Sequence, residues 1–568
     1  MTLTRNVERI HWELANDFHC KGVVNHYYYR TIAAAYLVYT LKKSSKDIVE
    51  YETLIDLIKY ISSDDERDFV YAMLNGVVTI EDLKRWMQFD LESLKTFIIL
   101  HKEDDEISEA VTPYSISELV YRILEIDEGE SVIDCCSGVG SFLLGCAQCQ
   151  PNASYVGVEI NRNISIVAAL KTKLAGYNII IENENCLYFA NSGRKFDKAF
   201  SNHPFGMRMR MADNESHIMR DLKSFVPELM KATSADWLFT YSCLNMLNER
   251  GKAVAIMTLG SLSNTIDKPI REYFLKIRKI KAILTIPPKM FPNTAIPAGL
   301  VVMDLMCCDS IRFIDASKLC IEGRRQNTFS AENIGRIVQA IYEDCDISKS
   351  VSVEEILEEN CSFNPSQYLE EKIEVRNGVQ FGSLIKNITR VVSCTASELD
   401  KLASTTPTDC QYLMMANIQS GLIEKDLPFI KEIPAKMEKY CIKTGNIIMS
   451  KNGYPFKIAV ADVPEGKKVL ASGNLFIIEV DEDRVNPYYL KAFFESELGI
   501  ASLKNIVVGA TVPSIGLSTL TKLMIPILPK YEQDIIADKY IAVMGEIEQL
   551  KEKIVKAEST LKTIFPLE

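Results

Sequence analysis

The segment at residues 132–143 constrains the fold more than any other part of the chain. A hydrophobic strand there runs into a glycine-containing turn and then into an apolar helix. Gly138 and Gly140 allow the backbone to approach a ligand closely, and Asp134 at the strand end can accept a hydrogen bond from a ligand amine. The segment predicts a strand–loop–helix unit that cradles a nucleotide-like cofactor.

Three more short hydrophobic segments follow, and each is typical of a strand. Glu159 ends the second strand, at roughly the twenty-residue distance where a ribose diol is normally bound, so we predict it to be the ribose ligand. Ligands of open α/β sheets bind at the carboxyl ends of the strands, so we expect the four following loops to converge. The predicted strands are residues 132–134, 155–159, 179–181 and 196–200.

The loop after the fourth strand reads Ser-Asn-His-Pro-Phe-Gly at residues 201–206. An exocyclic amine such as N6 of adenine is a poor nucleophile, because its lone pair is delocalised into the ring. If Asn202 Oδ1 and the carbonyl of residue 203 each accept an N–H, the lone pair turns toward an electrophile. Phe205 would stack on a base flipped out of a duplex. The alternative is an ordinary turn, since Asn, Pro and Gly are common turn residues.

Together, these elements resemble the N6-adenine DNA methyltransferases, and most closely the modification subunit of type I restriction-modification systems. The glycine motif of that family resembles residues 134–143, its acidic ribose ligand matches Glu159, and its catalytic Asn-Pro-Pro-Phe matches residues 202–205. Thr112 and Pro113 resemble the Thr-Pro element that lies against the methionine part of S-adenosylmethionine. The likeness extends over about residues 112–368, and includes segments 251–257 and 286–291.

The resemblance implies two sets of site residues. The catalytic set is Asn202, His203, Pro204 and Phe205. The set implied to bind S-adenosylmethionine is Thr112, Pro113, Asp134, Ser137, Gly138, Gly140, Glu159, Asn185, Cys186 and Asn202.

The chain departs from the family pattern in three ways. His203 replaces the first proline, a position that acts through its backbone carbonyl. The carbonyl is kept but the fixed φ of proline is lost, so we expect a less preorganised loop and slower turnover. Asn185 stands where an Asp commonly contacts the cofactor adenine, and an amide can still pair with that edge. Ser137 and Ser141 replace small or glycine positions, and neither is bulky enough to exclude a cofactor.

Composition is typical of an intracellular multidomain enzyme: 568 residues, 47% hydrophobic and 25% charged. The 15 cysteines are an odd number without regular spacing or a preceding signal peptide, which predicts reduced thiols and a cytoplasmic protein. Cys146 and Cys149 lie in the helix after the glycine loop without a second suitably spaced pair, so we predict no metal site. No apolar run is long and uncharged enough to span a bilayer.

The net charge of −12 is unexpected for a protein that binds DNA, because neutralisation of phosphates by Lys and Arg supplies most nonspecific affinity. Acidic clusters look like solvated faces, whereas basic residues gather after the catalytic loop at Arg208 and Arg210, and again at Arg324 and Arg325. Each of these is more typical of ordinary surface than of a DNA contact. Binding of double-stranded DNA with steep salt sensitivity is nevertheless expected.

We predict an α/β fold with a Rossmann-like methyltransferase domain at residues 106–376. An N-terminal helical domain at residues 1–105 precedes it, either a helical cap or, by the type I resemblance, a clamping or subunit-contact domain. Residues 377–529 contain short β-rich runs that resemble the target recognition domain of type I specificity subunits. Four residues there could contact phosphates or base edges, or simply be turn residues: Lys451, Asn452, Lys457 and Thr511.

The last predicted element is a coiled-coil helix at residues 530–568. Its apolar positions alternate four and three apart, which defines a heptad seam that another helix must cover. Either the helix packs on the methylase domain of its own chain, or two chains pair, and we favour the homodimer. A complex of this chain with other restriction or defence subunits is the alternative to the homodimer. The seam residues are Ile536, Tyr540, Val543, Ile547, Leu550, Ile554, Ala557, Leu561 and Ile564.

The sequence thus predicts an adenine-specific DNA methyltransferase of a restriction-modification or related defence system. A cytosine-C5 enzyme would need a cysteine nucleophile, usually after proline, and the chain contains no Pro-Cys dipeptide. Two alternatives remain: a noncatalytic DNA-binding defence subunit, and an RNA or protein-amide methyltransferase. The recognition-like C-terminal third argues against the latter.

Overall fold

The chain forms two compact units, residues 1–369 and 370–568. The computed structural model describes residues 2–23, 25–45, 53–101, 110–209, 216–229, 232–292, 297–369, 375, 377–391, 401–508 and 514–563. Each unit has its own apolar cores. In the described residues, no helix is both long enough and apolar enough to cross a membrane.

The first unit begins with six helices, and the last four of them start at short polar caps. Ser63 and Thr79 each accept a backbone N–H at a helix start, and Thr79 forms a reciprocal capping box with Asp82. The apolar faces of these helices share one core with Val167 and Leu170 of the following α/β region. The helices are α1 (Thr2–Cys20), α2 (Tyr27–Lys43), α3 (Leu54–Ile58), α4 (Asp64–Leu74), α5 (Ile80–Trp86) and α6 (Leu91–Leu100).

A nine-stranded mixed sheet forms the centre of the first unit. Its strands are β1 (Ser131–Asp134), β2 (Ser154–Val158), β3 (Ile179–Glu182), β4 (Phe196–Ser201), β5 (Leu247–Thr258), β6 (Ile280–Thr285), β7 (Ala298–Asp304), β8 (Ser310–Asp315) and β9 (Ser348–Ser352). Their order is β3-β2-β1-β4-β5-β7-β6-β8-β9, and β7 is antiparallel to both of its neighbours.

The first four strands lie where the sequence predicted them, to within about a residue at either end. They are parallel, and all but the outer β3 are largely buried apolar runs, as expected for strands covered on both faces. Asp134 is in register with Gly157 on one side and Phe200 on the other. The loops that follow β1, β2, β3 and β4 therefore meet at one edge of the sheet.

Eleven further helices are described in the first unit, and the helix after β2 has a capping residue at each end. Asn161 caps the helix after β2, and Gly176 ends that helix with a φ of 81°. The helices are α7 (Tyr114–Leu124), α8 (Ser141–Cys149), α9 (Arg162–Ala175), α10 (Cys186–Phe189), α11 (His217–Phe225), α12 (Asp236–Asn245), α13 (Leu259–Ser263), α14 (Lys268–Ile277), α15 (Ala331–Ala340), α16 (Val353–Glu358) and α17 (Ser366–Leu369).

The second unit is rich in short strands. They are β10 (Gly378–Gln380), β11 (Ile385–Arg390), β12 (Cys410–Leu413), β13 (Ile418–Gln419), β14 (Leu422–Ile423), β15 (Phe429–Ile430), β16 (Cys441–Ile442), β17 (Ile447–Ser450), β18 (Ile458–Val460), β19 (Lys468–Ala471), β20 (Leu475–Val480), β21 (Val507–Val508), β22 (Ser514–Ile515) and β23 (Met524–Pro526). Two sheets have four strands each, in the orders β11-β20-β17-β18 and β15-β12-β19-β16.

Four helices follow in the second unit: α18 (Pro487–Glu495), α19 (Glu497–Lys504), α20 (Leu517–Thr521) and α21 (Lys530–Thr563). The start of α21 packs on α18, where Asn486 hydrogen-bonds Gln533 and Asp534 at 3.0 and 2.9 Å. Its later seam residues Val543, Leu550, Ile554 and Leu561 are exposed.

Candidate active site

The glycine loop after β1 is held from both sides by backbone hydrogen bonds. The N–H of Ser137 donates to the carbonyl of Val158 at 3.0 Å, and the N–H of Val139 donates to the carbonyl of Ala110, also at 3.0 Å. Gly138 has a φ of 53°, and a Cβ built there would lie 2.0 Å from the Ala110 oxygen. Only glycine fits this loop while Ala110 lies against it.

Asp134 is a buried carboxylate that is only half satisfied. Its Oδ1 accepts the N–H of Cys136 at 3.2 Å, while its Oδ2 accepts no hydrogen bond from the described residues. Burial raises the pKa of Asp134 to about 7, against the smaller effect of the Cys136 hydrogen bond. A buried carboxylate oxygen without a donor is costly, and a cationic ligand group would relieve that cost.

Glu159, the predicted ribose ligand, lies at the end of β2 beside the glycine loop. Its Oε2 accepts the N–H of Gly138 at 3.1 Å, and its Oε1 accepts the N–H of Asn161 at 2.7 Å. Burial raises the pKa of Glu159, and these backbone hydrogen bonds oppose the rise. Each oxygen keeps a second lone pair, so the carboxylate can still accept from two hydroxyl groups.

Asn202 links the cofactor set to the catalytic set. Its Nδ2 donates to Oγ1 of Thr112 at 3.2 Å, while its Oδ1 accepts nothing from the described part of the chain. Pro113 occupies the N-cap position of α7. The Thr112 hydroxyl therefore orients the Asn202 amide and leaves its oxygen available to an incoming amine.

The Asn202 loop, residues 201–206, places its aromatic residue at the surface. Pro204 and Phe205 are exposed, and the Phe205 side chain keeps 39% of its accessible area. The Phe205 ring meets the Phe291 ring edge-on, with centroids 5.4 Å apart and planes at 83°. In the sequence, Phe291 is only part of the later segment 286–291, and the structure brings its ring to the loop.

His203 is buried, unlike its neighbours in the loop. Its ring stacks on Phe239 with centroids 4.6 Å apart and planes 9° from parallel. Nδ1 lies 3.1 Å from the Ser201 hydroxyl, and Nε2 lies 3.4 Å from Oδ1 of Asp236. These contacts could not be predicted from the sequence, since no local pattern connects residue 203 with helix α12.

The third strand contributes Asn185 and Cys186. Asn185 caps α10, with Oδ1 accepting the N–H of Leu187 at 3.0 Å, and Cys186 is buried. Ile160, which directly follows Glu159, was missed by the sequence analysis. Ile160 is 69% exposed at the same sheet edge. An apolar residue directly after the acidic strand end is the sequence pattern that could have identified it.

Several residues considered for DNA contact have other roles. Lys451 is buried, its Nζ donates to the carbonyls of Val391 and Gly473 at 2.6 Å, and burial lowers the pKa of Lys451 to about 8. Lys457 Nζ donates to the Met415 carbonyl at 3.1 Å. Asn452 forms a backbone bridge with Ser514. Arg208, Arg324 and Arg325 are exposed, whereas Arg210 and Thr511 lie outside the described residues.

Two family models match the chain in succession. Residues 99–376 match the N-6 DNA Methylase family, and residues 398–558 match the type I restriction modification DNA specificity domain. One region of the chain is thus similar to N-6 DNA methylases, and a later region is similar to type I DNA specificity domains. The first match contains the glycine loop, Glu159 and the Asn202 loop.

Curated relatives agree with the first of these domains. The chain is 26% identical over 294 residues to the type I restriction enzyme MpnII methylase subunit of Mycoplasma pneumoniae, covering 47% of this chain and 54% of the relative. It is 26% identical over 313 residues to the MjaVIII methylase subunit of Methanocaldococcus jannaschii, covering 50% and 53%. The chain therefore spans about half the length of the curated relatives it matches.

A solved structure shares the fold. A chain from a structural study of complex assembly and conformational transition of the type I restriction-modification system aligns with a TM-score of 0.50 and 15% identity. The alignment covers 66% of this chain and 93% of that chain. At this identity the likeness supports a shared fold alone.

The close approach of Ala110 to the glycine loop yields a direct test. We expect Gly138→Ala to lower the free energy of unfolding of the first unit more than Gly176→Ala does, by at least about 1 kcal/mol. Both glycines have positive φ, but a Cβ meets nothing within 4 Å at Gly176 and meets a backbone oxygen at Gly138. Urea unfolding followed by fluorescence measures both variants, and equal losses would contradict the packing described.

Proposed function

We propose that this chain is a sequence-specific DNA adenine-N6 methyltransferase of a restriction-modification system, which flips its target adenine and uses S-adenosylmethionine. The observation that carries the proposal is the Asn202 amide, oriented by the hydrogen bond to Thr112 with its oxygen open. It lies at the sheet edge that also holds the glycine loop, and exposed Phe205 follows it closely.

The residues at this edge fit S-adenosylmethionine. The unsatisfied Oδ2 of Asp134 suits the ammonium group of the methionine part, and Glu159 can accept from the ribose hydroxyls. Gly138 lets the backbone approach without a Cβ, and Thr112 with Pro113 would lie against the methionine part. Asn185 and the exposed Ile160 are available to the adenine ring. The bound cofactor supplies an electrophilic methyl group on a sulfonium.

Asn202 and residue 203 orient the substrate amine. Asn202 Oδ1 and the carbonyl of His203 each accept one N–H, which localises the nitrogen lone pair and aims it at the methyl group. His203 does not act as a general base, because its two ring nitrogens face Ser201 and Asp236 inside the protein. The proton leaves to solvent after transfer, when the product nitrogen has become acidic.

Aromatic stacking holds the flipped base. Flipping costs a few kcal/mol, and stacking on an aromatic ring returns roughly 1 to 3 kcal/mol. Phe205 keeps 39% of its accessible area for this purpose, and the Phe291 ring packs against it at a steep angle. The type I specificity domain at residues 398–558 supplies the choice of DNA sequence. Additional restriction or defence subunits are proposed partners of the chain.

Methylation in cells tests this function directly. Expression of the parent chain in a methylation-free host should place N6-methyladenine at one sequence motif, read by sequencing of the host genome. Asn202→Ala should abolish the mark, because it removes the amine acceptor. Phe205→Ala should lower the rate at least tenfold in vitro, whereas Phe225→Ala, which removes an exposed ring on α11, should not.

Other outcomes would favour the alternatives. A parent chain that binds S-adenosylmethionine and DNA without marking the genome would favour a noncatalytic recognition subunit. Methyl transfer to RNA or protein but not DNA would overturn the DNA assignment.

Asp134 makes cofactor binding depend on pH. Its folded-state pKa is raised to about 7, so the group contributes stability to the free protein at low pH that is lost as pH rises through 7. An ammonium ligand requires the ionised carboxylate, and an α-amino group itself loses its proton near pH 8, so affinity for S-adenosylmethionine should increase between pH 6 and 7. Calorimetry over this range should show up to about a tenfold rise that Asp134→Asn removes. A pH-independent affinity in the parent would contradict this role.

We also propose that a second copy of the chain covers the seam of α21. Tyr540 near its start hydrogen-bonds Glu495 of α18, but the later seam residues are solvated: Val543 is 55% exposed, Leu550 56%, Ile554 56% and Leu561 67%. Ile547 is half-buried and Ile564 lies outside the described residues. A helix with apolar residues at heptad spacing for three turns or more is stabilised when another helix buries those residues.

Oligomeric state tests the second copy. Leu550→Glu combined with Ile554→Glu should convert a dimer to a monomer in sizing chromatography with light scattering, because the carboxylates would enter the seam. Ser559→Glu adds the same group on the opposite face and should leave the dimer intact. A parent chain that is monomeric at every concentration would refute the pairing.

A further inference from the structure

His203 occupies a buried junction in an otherwise exposed part of the catalytic loop. The residue as a whole retains 2% of its accessible area, whereas Pro204, Phe205 and Gly206 after it are exposed. Its ring is held by three neighbours from different positions in the fold: Ser201 at the end of β4, Asp236 at the start of α12, and Phe239 one turn later.

Asp236 fixes this junction to the sheet. Its Oδ2 accepts three hydrogen bonds, from the N–H and hydroxyl of Thr258 at 3.0 and 2.9 Å and from the hydroxyl of Ser261 at 2.7 Å. Its Oδ1 makes no such bond among the described residues and faces Nε2 of His203. The end of β5, the start of α12 and the catalytic loop thus meet at one carboxylate.

Electrostatics favours the contact between His203 and Asp236. Burial by itself would raise the pKa of Asp236, but the close approach of the His203 ring and the hydrogen bonds from Ser261 and Thr258 hold that pKa at about 2. The other charged groups nearby are Asp267, whose charge interacts with Asp236, and Arg271, whose guanidinium donates to three backbone carbonyls. A buried carboxylate of this kind strongly favours a donor at Oδ1.

We propose that His203 is a positioning residue, whose clamped ring fixes the backbone carbonyl that orients the substrate amine. A proline at this position would restrict the backbone through its ring, by locking φ. The imidazole achieves the same restriction through tertiary contacts, between the Asp236 carboxylate, the Ser201 hydroxyl and the Phe239 ring. The inference rests on the proposed methyl transfer, because the carbonyl matters only if an amine is held there.

Three variants separate positioning from simple stability. His203→Ala removes every ring contact. His203→Pro removes them too but restores a fixed φ, and the double variant His203→Pro/Asp236→Asn also removes the unpaired buried charge that the single proline leaves. His217→Ala is the matched control, since His217 is an exposed histidine at the start of α11.

Single-turnover methylation of duplex DNA gives the main readout. We expect His203→Ala to lower the transfer rate about tenfold to hundredfold, with dissociation constants for S-adenosylmethionine and DNA within about twofold of the parent. The His203→Pro/Asp236→Asn double variant should recover most of the rate, and His217→Ala should match the parent. A purely structural role predicts no recovery with proline, because proline replaces none of the lost contacts.

Amide hydrogen exchange measures the loop without depending on activity. In His203→Ala, exchange at Met209, whose N–H donates to the Thr233 carbonyl at 2.9 Å, should accelerate while α12 keeps its protection. An unchanged rate and unchanged exchange would overturn the proposal, as would a lost rate that proline does not recover. If the parent itself transfers no methyl group, the proposed function fails, and the exchange measurement alone decides whether His203 anchors the loop.

Discussion

The parallel pairing of β1 with β2 on one side and β4 on the other is the constraint on which the site depends. Because Asp134 is in register with both Gly157 and Phe200, the glycine loop, Glu159 and the Asn202 loop emerge at one sheet edge. Hydrogen bonds beyond the strand ends continue the pairing, from the Cys135 N–H to the Phe200 carbonyl at 2.8 Å and from Ser137 to Val158. A shift of register by one residue would turn these side chains to the other face.

Two buried carboxylates at this edge differ in how they are satisfied. Asp236 receives three neutral donors and a histidine, so its negative charge is stabilised and its pKa falls to about 2. Asp134 receives one backbone N–H, so burial dominates and its pKa rises to about 7. A satisfied carboxylate supports the structure, whereas an unsatisfied one in a cleft is typical of a ligand site. The contrast separates the residue that anchors the loop from the residue available to a cofactor.

The second unit shows how side-chain chemistry alone can mislead. Lys451 looked suited to a phosphate, but its ammonium group is turned toward two carbonyls and is largely desolvated. The heptad seam of α21 shows the converse, since its pattern is evident in the sequence and its later positions are exposed. Periodicity along a helix is a local property, while the direction of a lysine side chain depends on strands that are distant in sequence.

The four parallel strands, the glycine loop, the Asn202 loop and the succession of a methylase-like and a specificity-like region could all be predicted from the sequence. These features are carried by local patterns of apolar residues, glycines and short motifs. Only the tertiary structure revealed the ring contacts of His203, the supporting position of Phe291 and the closure of Ala110 over Gly138. Those contacts join residues far apart in the chain, and their geometry depends on packing that no local pattern encodes.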